Sequence, residues 1–288
     1  MAGSNGVEGL RIAPLDSARI SEAVEVFLKA FEVSDPARAE NAGGFWRLLH
    51  TIGAAGFVGA ELGGRMVGCG ALVGYRLSAW IAFMAVLPEL RGRGIGNALM
   101  IALVARAEEL GYGTLKLDAS NWGKPLYVKH GFRTEYQVRT HDLLVGDSGD
   151  DREEPSILIA HDIPEWCLAM DRKAFGDDRS LLLRQVLKEG GQLIVEESHG
   201  FGIIWKQKVG PVIADSVPAA RNIVRYAQTL GAKRIYVPLH GHMPSDFLSD
   251  LEEVEPTTSI ICCERMSAGA GIDEDRRMVF ASFSAATG

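Results

Sequence analysis

The chain has 288 residues, 47% of them hydrophobic and 23% charged, with a net charge of −7. That balance excludes a mostly disordered chain, and the length suits one large domain or two of ordinary size. The negative charge argues against general binding of nucleic acid, which relies on cationic contacts to phosphate, and no apolar run nears the ~18 residues of a membrane helix.

The opening stretch, MAGSNGVEGL, has neither the basic segment nor the apolar core of a secretory signal, so a cytoplasmic location is expected. LRIAP reads as a strand, and Asp16 or Ser17 caps a helix that runs to about Phe31. A second helix spans roughly Arg38 to Ile52. FVGAEL, Gly63-Gly64 and RMVGCGALV form a hairpin, with the glycines in the tight turn. Ala79 to Leu87 is a buried strand, and Gly94 to Leu110 a helix with its apolar face at Ile95, Leu99, Leu103 and Ala107. TLKLDAS is a strand, Lys124 to His130 a short helix, and Phe132 to Leu144 a closing strand.

Residues 146–155, GDSGDDREEP, are polar, acidic and marked by glycine and proline, and read as a linker between residues 1–145 and 156–288. Up to residue 150 there are 15 basic and 16 acidic residues, and beyond it 15 and 21, so the acidity sits in the second part. That part repeats the order of the first. ILIA precedes helices near Pro164–Phe175 and Asp178–Glu189. QLIVEE, GFGIIWKQK, a helix at Val217–Leu230, RIYVPLH, a short helix near Phe247, SIICCERM and MVFASFSA follow. Short echoes support a repeat: Arg11-Ile12-Ala13 with Leu158-Ile159-Ala160, and Lys29-Ala30-Phe31 with Lys173-Ala174-Phe175. The expected fold is α+β, two tandem copies, each a mostly antiparallel mixed sheet flanked by helices.

Chemistry concentrates at Met84-Ala-Val-Leu-Pro-Glu-Leu-Arg-Gly-Arg-Gly-Ile-Gly-Asn97, a buried strand, a proline stop, a glycine-dense turn and an amphipathic helix. Glycines leave no side chain between backbone amides and a ligand, and the helix start aims unpaired amides at the same point. Such a turn suits a phosphate or diphosphate, with Arg91 and Arg93 adding charge. The lysine–hydroxyl pair of a nucleotide-binding phosphate loop is absent. A dinucleotide fingerprint would open a βαβ unit, whereas this turn follows a hairpin and a third consecutive strand.

LPELRGRGIG resembles the R-x-x-G-x-G acetyl-CoA loop of the GNAT superfamily of N-acyltransferases, through Arg91, Gly94 and Gly96. LDASNWGKPLYVKHGF is similar to that superfamily's closing motif, and the resemblance spans about residues 9–145. It implies that Met84, Ala85 and Val86 bind the pantetheine arm through their backbone. The amides of Arg91, Gly92, Arg93, Gly94, Ile95, Gly96 and Asn97 would cradle the diphosphate. Tyr127 stands where many members place the hydroxyl that protonates the departing thiolate, and a phenol is protonated at neutral pH. Where many relatives carry a cofactor-contacting asparagine this chain has Ser120, with Asn121 beside it. The general base stays open among Glu32, Asp35, Asp118 and water. Phe31, Trp46, His50 and Tyr75 are candidates for shaping the acceptor pocket.

No metal site is expected. His240-Gly241-His242 lacks a third ligand at metal spacing and reads as a turn. Cys69, Cys167, Cys262 and Cys263 show no paired spacing and read as packing residues. In the second copy Lys208-Val-Gly-Pro-Val-Ile-Ala-Asp215 stands where the glycine loop should be, and Pro211 removes an amide. The second copy therefore looks like a degenerate GNAT-like domain that is structural, shapes the pocket or builds a homodimer. The activity implied is transfer of an acetyl group from acetyl-CoA to a primary amine of a small molecule. The alternatives are a protein or peptide amine as acceptor, or a non-catalytic acyl-CoA sensor.

Overall fold

The computed structural model describes residues 7–53, 55–143, 157–160, 162–245, 247 and 262–288. The linker expected at 146–155 lies outside them.

The first half runs β1 (Leu10–Pro14), α1 (Ile20–Ala30), α2 (Pro36–Thr51), β2 (Ala55–Leu62), β3 (Arg65–Gly74), β4 (Ser78–Val86), α3 (Ile95–Glu109), β5 (Thr114–Ala119), α4 (Lys124–Lys129) and β6 (Arg133–Asp142). The second runs β7 (Ile157–Ala160), α5 (Glu165–Phe175), α6 (Ser180–Lys188), β8 (Gln192–Glu196), β9 (Gly200–Trp205), β10 (Lys208–Ala214), α7 (Val217–Thr229), β11 (Arg234–Leu239), β12 (Cys262–Gly269) and β13 (Val279–Ala281). A single 3-10 turn, Ser17–Arg19, leads into α1, and the Asp16 carboxylate accepts from the Arg19 amide at 3.1 Å. α1 buries Ile20, Ala23, Val26 and Ala30, the three-and-four spacing of one helical face.

The tandem α+β organisation is as the sequence implies, but the two copies share one sheet. Its order is β1-β2-β3-β4-β5-β12-β6-β11-β10-β9-β8-β7, with β13 paired to β10. β1 to β4 pair antiparallel in sequence, as do β7 to β10, while β4–β5 and β10–β11 are the parallel pairs. At the centre the halves exchange strands. β12 from the second half pairs with β5, β6 from the first pairs with β11, and β6 and β12 pair with each other. The molecule is thus pseudo-two-fold symmetric, and each copy is completed by the other's last long strand.

Charges fix the register at this seam. Arg265 of β12 lies opposite Asp118 of β5, and its Nε and Nη2 donate to the carboxylate at 2.6 and 2.8 Å with both side chains buried. Arg234 of β11 faces Asp142 of β6 at 3.0 Å. Buried Lys116 of β5 pairs with Glu274 and, at 3.7 Å, with Glu135 of β6. A buried charge is tolerable only with its partner, so a slip of one residue would strand several at once.

Alternation along the strands divides the core. Ala71, Val73, Trp80 and Ala82 join Leu193, Val195, Phe201, Ile203 and Trp205 in one cluster under α1, α2, α5 and α6. This inner face therefore belongs to both halves. Leu72, Ala79 and Ile81 face the other way, against α3, and Ile194, Val209 and Val212 against α7.

Two segments differ from expectation. Lys208–Ala214, read as a loop, is the strand β10, because Val209, Val212 and Ile213 find apolar partners on both faces that outweigh the local Gly-Pro signal. MVFASFSA, read as one strand, is the three-residue β13 preceded by a 3-10 turn at Arg276–Met278 and followed by a tail packed in the inner core.

Candidate functional site

β4 and β5 are in register only at Ser78–Trp80 with Thr114–Lys116. Beyond Trp80 they diverge, so Ile81–Val86 line a wedge-shaped gap that opens toward the start of α3. β4 also carries a bulge there. Cys69 is opposite Ala85 and Ala71 opposite Ala82, leaving Phe83 and Met84 to face Gly70 alone. Phe83 takes φ 55°, a left-handed conformation that is strained for a bulky residue and re-aims the chain at the gap. Gly70 makes this fit: a Cβ there would come 2.8 Å from the Met84 sulfur. Gly70, one of two glycines inside RMVGCGALV, is the sequence signal of this bulge.

The glycine turn closes the open end. Gly92 and Gly94 have φ of 76° and 87°, and Gly94 is the N-cap of α3 with no side-chain cap. Among the described residues, the amides of residues 92–97 meet no acceptor. The Arg91 guanidinium does not point at the turn. It donates to the carbonyls of Val86, at 3.2 Å from Nε, and Ala30, stapling the end of β4 to the end of α1. Arg93 is exposed. Asn97 is also exposed, and its Oδ1 lies 2.9 Å from Nε2 of His130, at the end of α4.

On the other side of the gap, Ser120 spends its hydroxyl on the turn into α4, accepting from the Gly123 amide at 3.2 Å. Asn121 is exposed. Tyr127 is 7% exposed, packed with Leu117, Ala119 and Phe132. Burial pushes its phenol up to about 12, with Cys263 of the exchanged strand β12 adding to the effect. Of the base candidates, Asp118 is committed to Arg265. Glu32 is exposed in the α1–α2 link, beside an open hollow of about 460 Å³ lined by Glu25, Leu28, Lys29, Glu32, Val33 and Ser34.

The aromatic candidates separate. Trp46 is core, stacked 5.0 Å from Phe57 and 4.4 Å from Phe83. Tyr75 is held by the tail, donating to the Thr287 carbonyl at 3.0 Å. Phe31 is half-exposed against Phe27, and His50 is exposed.

The second half has the same wedge, but it is filled. β10 and β11 pair only at Lys208–Val209 with Arg234–Ile235. β13 then occupies the space between them, pairing with Val212 and Ile213 and bridging Tyr236 through Ser282. Gly210 permits this approach, since a Cβ would stand 2.3 Å from the Ser282 carbonyl oxygen. His240 holds the plug: its Nε2 lies 3.2 Å from the Val279 carbonyl, while Nδ1 accepts from the His242 amide at 3.3 Å in the turn. From β10 to α7 only Asp215 and Ser216 intervene, so no glycine loop exists there.

An unblocked wedge between parallel strands, closed by a turn of unpaired amides at a helix start, has the shape and the donors for a long arm that ends in a diphosphate. That defines the class: an α+β protein that handles acyl-coenzyme A. The comparisons agree. Descriptions of the acetyltransferase (GNAT) domain match residues 53–134 and residues 167–281. The Bacillus subtilis protein named uncharacterized N-acetyltransferase YitH is 28% identical over 194 residues, 62% of this chain and 67% of that protein. A Pyrococcus horikoshii crystal structure bearing an acetyltransferase name superposes with a TM-score of 0.89 at 29% identity, over 98% of this chain and 97% of that one. A GCN5-related N-acetyltransferase of Kribbella flavida shares the fold, with a TM-score of 0.57 at 18% identity over 90% and 72% of the two chains. The chain belongs to the GNAT superfamily, as two such domains in tandem. It is an acetyltransferase, and its acyl donor is acetyl-CoA.

Proposed function

We propose that the first half transfers the acetyl group of acetyl-CoA to a primary amine of a small molecule, and that the second half binds no coenzyme A. The contrast between the two wedges carries this reading: one is open beside unpaired amides, the other is filled by β13. The residues present fit the donor. The amides of Gly92 to Asn97 are free to take a diphosphate, and the dipole of α3 favours negative charge at that point. The unpaired edge of Met84, Ala85 and Val86 suits the pantetheine amides, with Ser120 and Asn121 across the gap.

When bound, acetyl-CoA supplies a thioester carbonyl open to direct attack by a deprotonated amine. The protein orients the two reactants and excludes water. The bulge at Phe83–Met84 turns backbone donors toward the place where the carbonyl oxygen gains charge. Tyr127 holds its proton at neutral pH and donates it to the thiolate as that departs; burial, which pushes the phenol up to about 12, weakens it as an acid, so the step relies on a hydrogen bond to the leaving sulfur and not on acidity. The soluble-amine reading is tested by following free thiol from acetyl-CoA across a panel of small amines and lysine-containing peptides. Thiol release with peptides alone would move the acceptor to proteins. Binding of coenzyme A with no release for any amine would make the chain a sensor.

A further inference from the structure

The helix that carries Tyr127 is held in place partly by the other half of the molecule. α4 has six residues, too few for a helix to keep its own shape and position. Described contacts reach it at both ends. Toward its C-terminal end the His130 ring donates to Asn97 of α3, and Leu126 rests on Gly96, where a Cβ would come 3.4 Å from the Leu126 methyl. These contacts lie within the first half. At the N-terminal end the contact crosses between halves: Lys124 Nζ donates to Oε1 of Glu264, in β12, at 2.7 Å.

The strand exchange is what puts Glu264 there. It stands opposite Ala119, the last residue of β5, and two residues before Met266. Met266 packs in the cluster that holds Tyr127, so Glu264 faces the same side of the sheet, toward α4. Its second oxygen, Oε2, accepts from the Thr134 hydroxyl of β6 at 2.5 Å. With one oxygen on Thr134 and the other on Lys124, the carboxylate is fixed in orientation. The same two partners hold it below the ordinary carboxylate range, so the pair is charged at neutral pH. Lys124 precedes Tyr127 by three residues, one turn of helix, and the two side chains are neighbours on its surface.

We infer that Glu264 is a positioning residue for acetyl transfer: by pairing with Lys124 it fixes the start of α4 and so aims the Tyr127 hydroxyl at the departing sulfur. This rests on Tyr127 as the proton donor. The second half then takes part in turnover without touching either substrate. Because burial makes the phenol a weak acid, its effect depends on where the hydroxyl sits, and a small misplacement of a reacting group lowers the rate steeply. The pair adds little to stability, since the Lys124 side chain is 40% exposed and solvent screens it.

The test follows thiol release from acetyl-CoA with the amine panel above, and carries its best substrate through Glu264→Ala and Lys124→Ala. Each should lower kcat by about tenfold, leave KM for acetyl-CoA unchanged and shift Tm by no more than about 4 °C. The charge exchange Lys124→Glu with Glu264→Lys should restore most of the rate. In a Tyr127→Phe background neither alanine variant should cost anything further, because residues acting through one group are not additive. Lys124→Ala breaks the pair from an exposed helix position, so a folding defect in the strand variant does not obscure the result. An unchanged kcat in Lys124→Ala, with Tyr127→Phe slow, overturns the inference alone. A loss just as large in the Tyr127→Phe background overturns it too, as does a rise in KM for acetyl-CoA in Lys124→Ala, which would make the lysine a coenzyme contact. A parental rate in Tyr127→Phe, or no release with any amine, sinks the proton-donor reading and the inference with it.

Discussion

Asp177 is the most economical place to test whether the two halves form one folding unit. It belongs to the second half, directly after α5, yet its carboxylate caps the β3–β4 turn of the first. It accepts from the amides of Arg76 at 3.1 Å, Leu77 at 2.9 Å and Ser78 at 2.8 Å, and from the Ser78 hydroxyl at 2.8 Å. Asp177→Ala orphans these four donors and the neighbouring Asp178 amide, which also donates to the carboxylate at 2.7 Å. Arg76 and Leu77 are exposed, so water replaces their acceptor at little cost, but Ser78 is fully buried. Two unsatisfied groups at ~1–3 kcal/mol each give a loss of about 2–6 kcal/mol. Asp177→Asn retains one acceptor oxygen and should lose about half as much. Urea denaturation should show one transition with its midpoint lowered and its slope unchanged. The Tm rise with coenzyme A should persist, because the glycine turn lies at the opposite end of β4. A variant within ~0.5 kcal/mol of the parent would refute the reasoning, since surface changes have effects of that size.

Gly94→Asp puts a carboxylate and a strained backbone where the diphosphate should lie, and should abolish the coenzyme-induced Tm rise in a folded protein. Tyr127→Phe should lower turnover by roughly 10²-fold with unchanged affinity for coenzyme A; an unchanged chemical step would reduce Tyr127 to packing. Calorimetric titration should give one coenzyme A per chain, and two would contradict the sealed second wedge. Burial brings Lys208 down to about 7, whereas an unfolded lysine titrates near ~10.4. Between these values the unfolded chain holds the extra proton, so stability rises with pH there. The stability gained by Lys208→Met should be full below the folded value and vanish above the unfolded one, as denaturation at several pH values will show.

Much of the first site is legible in the sequence because its signals are local. Strand, proline stop, glycines and helix occupy one run of fourteen residues, Met84 to Asn97, and Asp16 and the face of α3 follow the same logic. What escapes is set by partners distant in the chain. Nothing near Asp118 signals that Arg265 will claim it, so it reads as a free carboxylate. Lys208–Ala214 reads as a loop because Gly-Pro is a local breaker, while its strand character comes from β9 and β13. The burial of Trp46 and Tyr75 likewise depends on the packing of α2 and of the tail, which periodicity does not reveal.

The strand exchange also dictates an order of assembly during synthesis. When β5 and β6 have left the ribosome, β5 still lacks one of its two neighbours and β6 lacks both, and the strand that will join them begins at Cys262. The nascent first half must wait through most of the second with unpaired backbone edges, the feature most prone to pairing with other chains. The contacts that end this wait join residues 123 to 155 positions apart, a separation that makes the closing step slow. Part of the remedy lies in the waiting strands themselves: Lys116 of β5 and Glu135 of β6 place charged side chains along those edges, which discourage foreign strands until the proper one arrives.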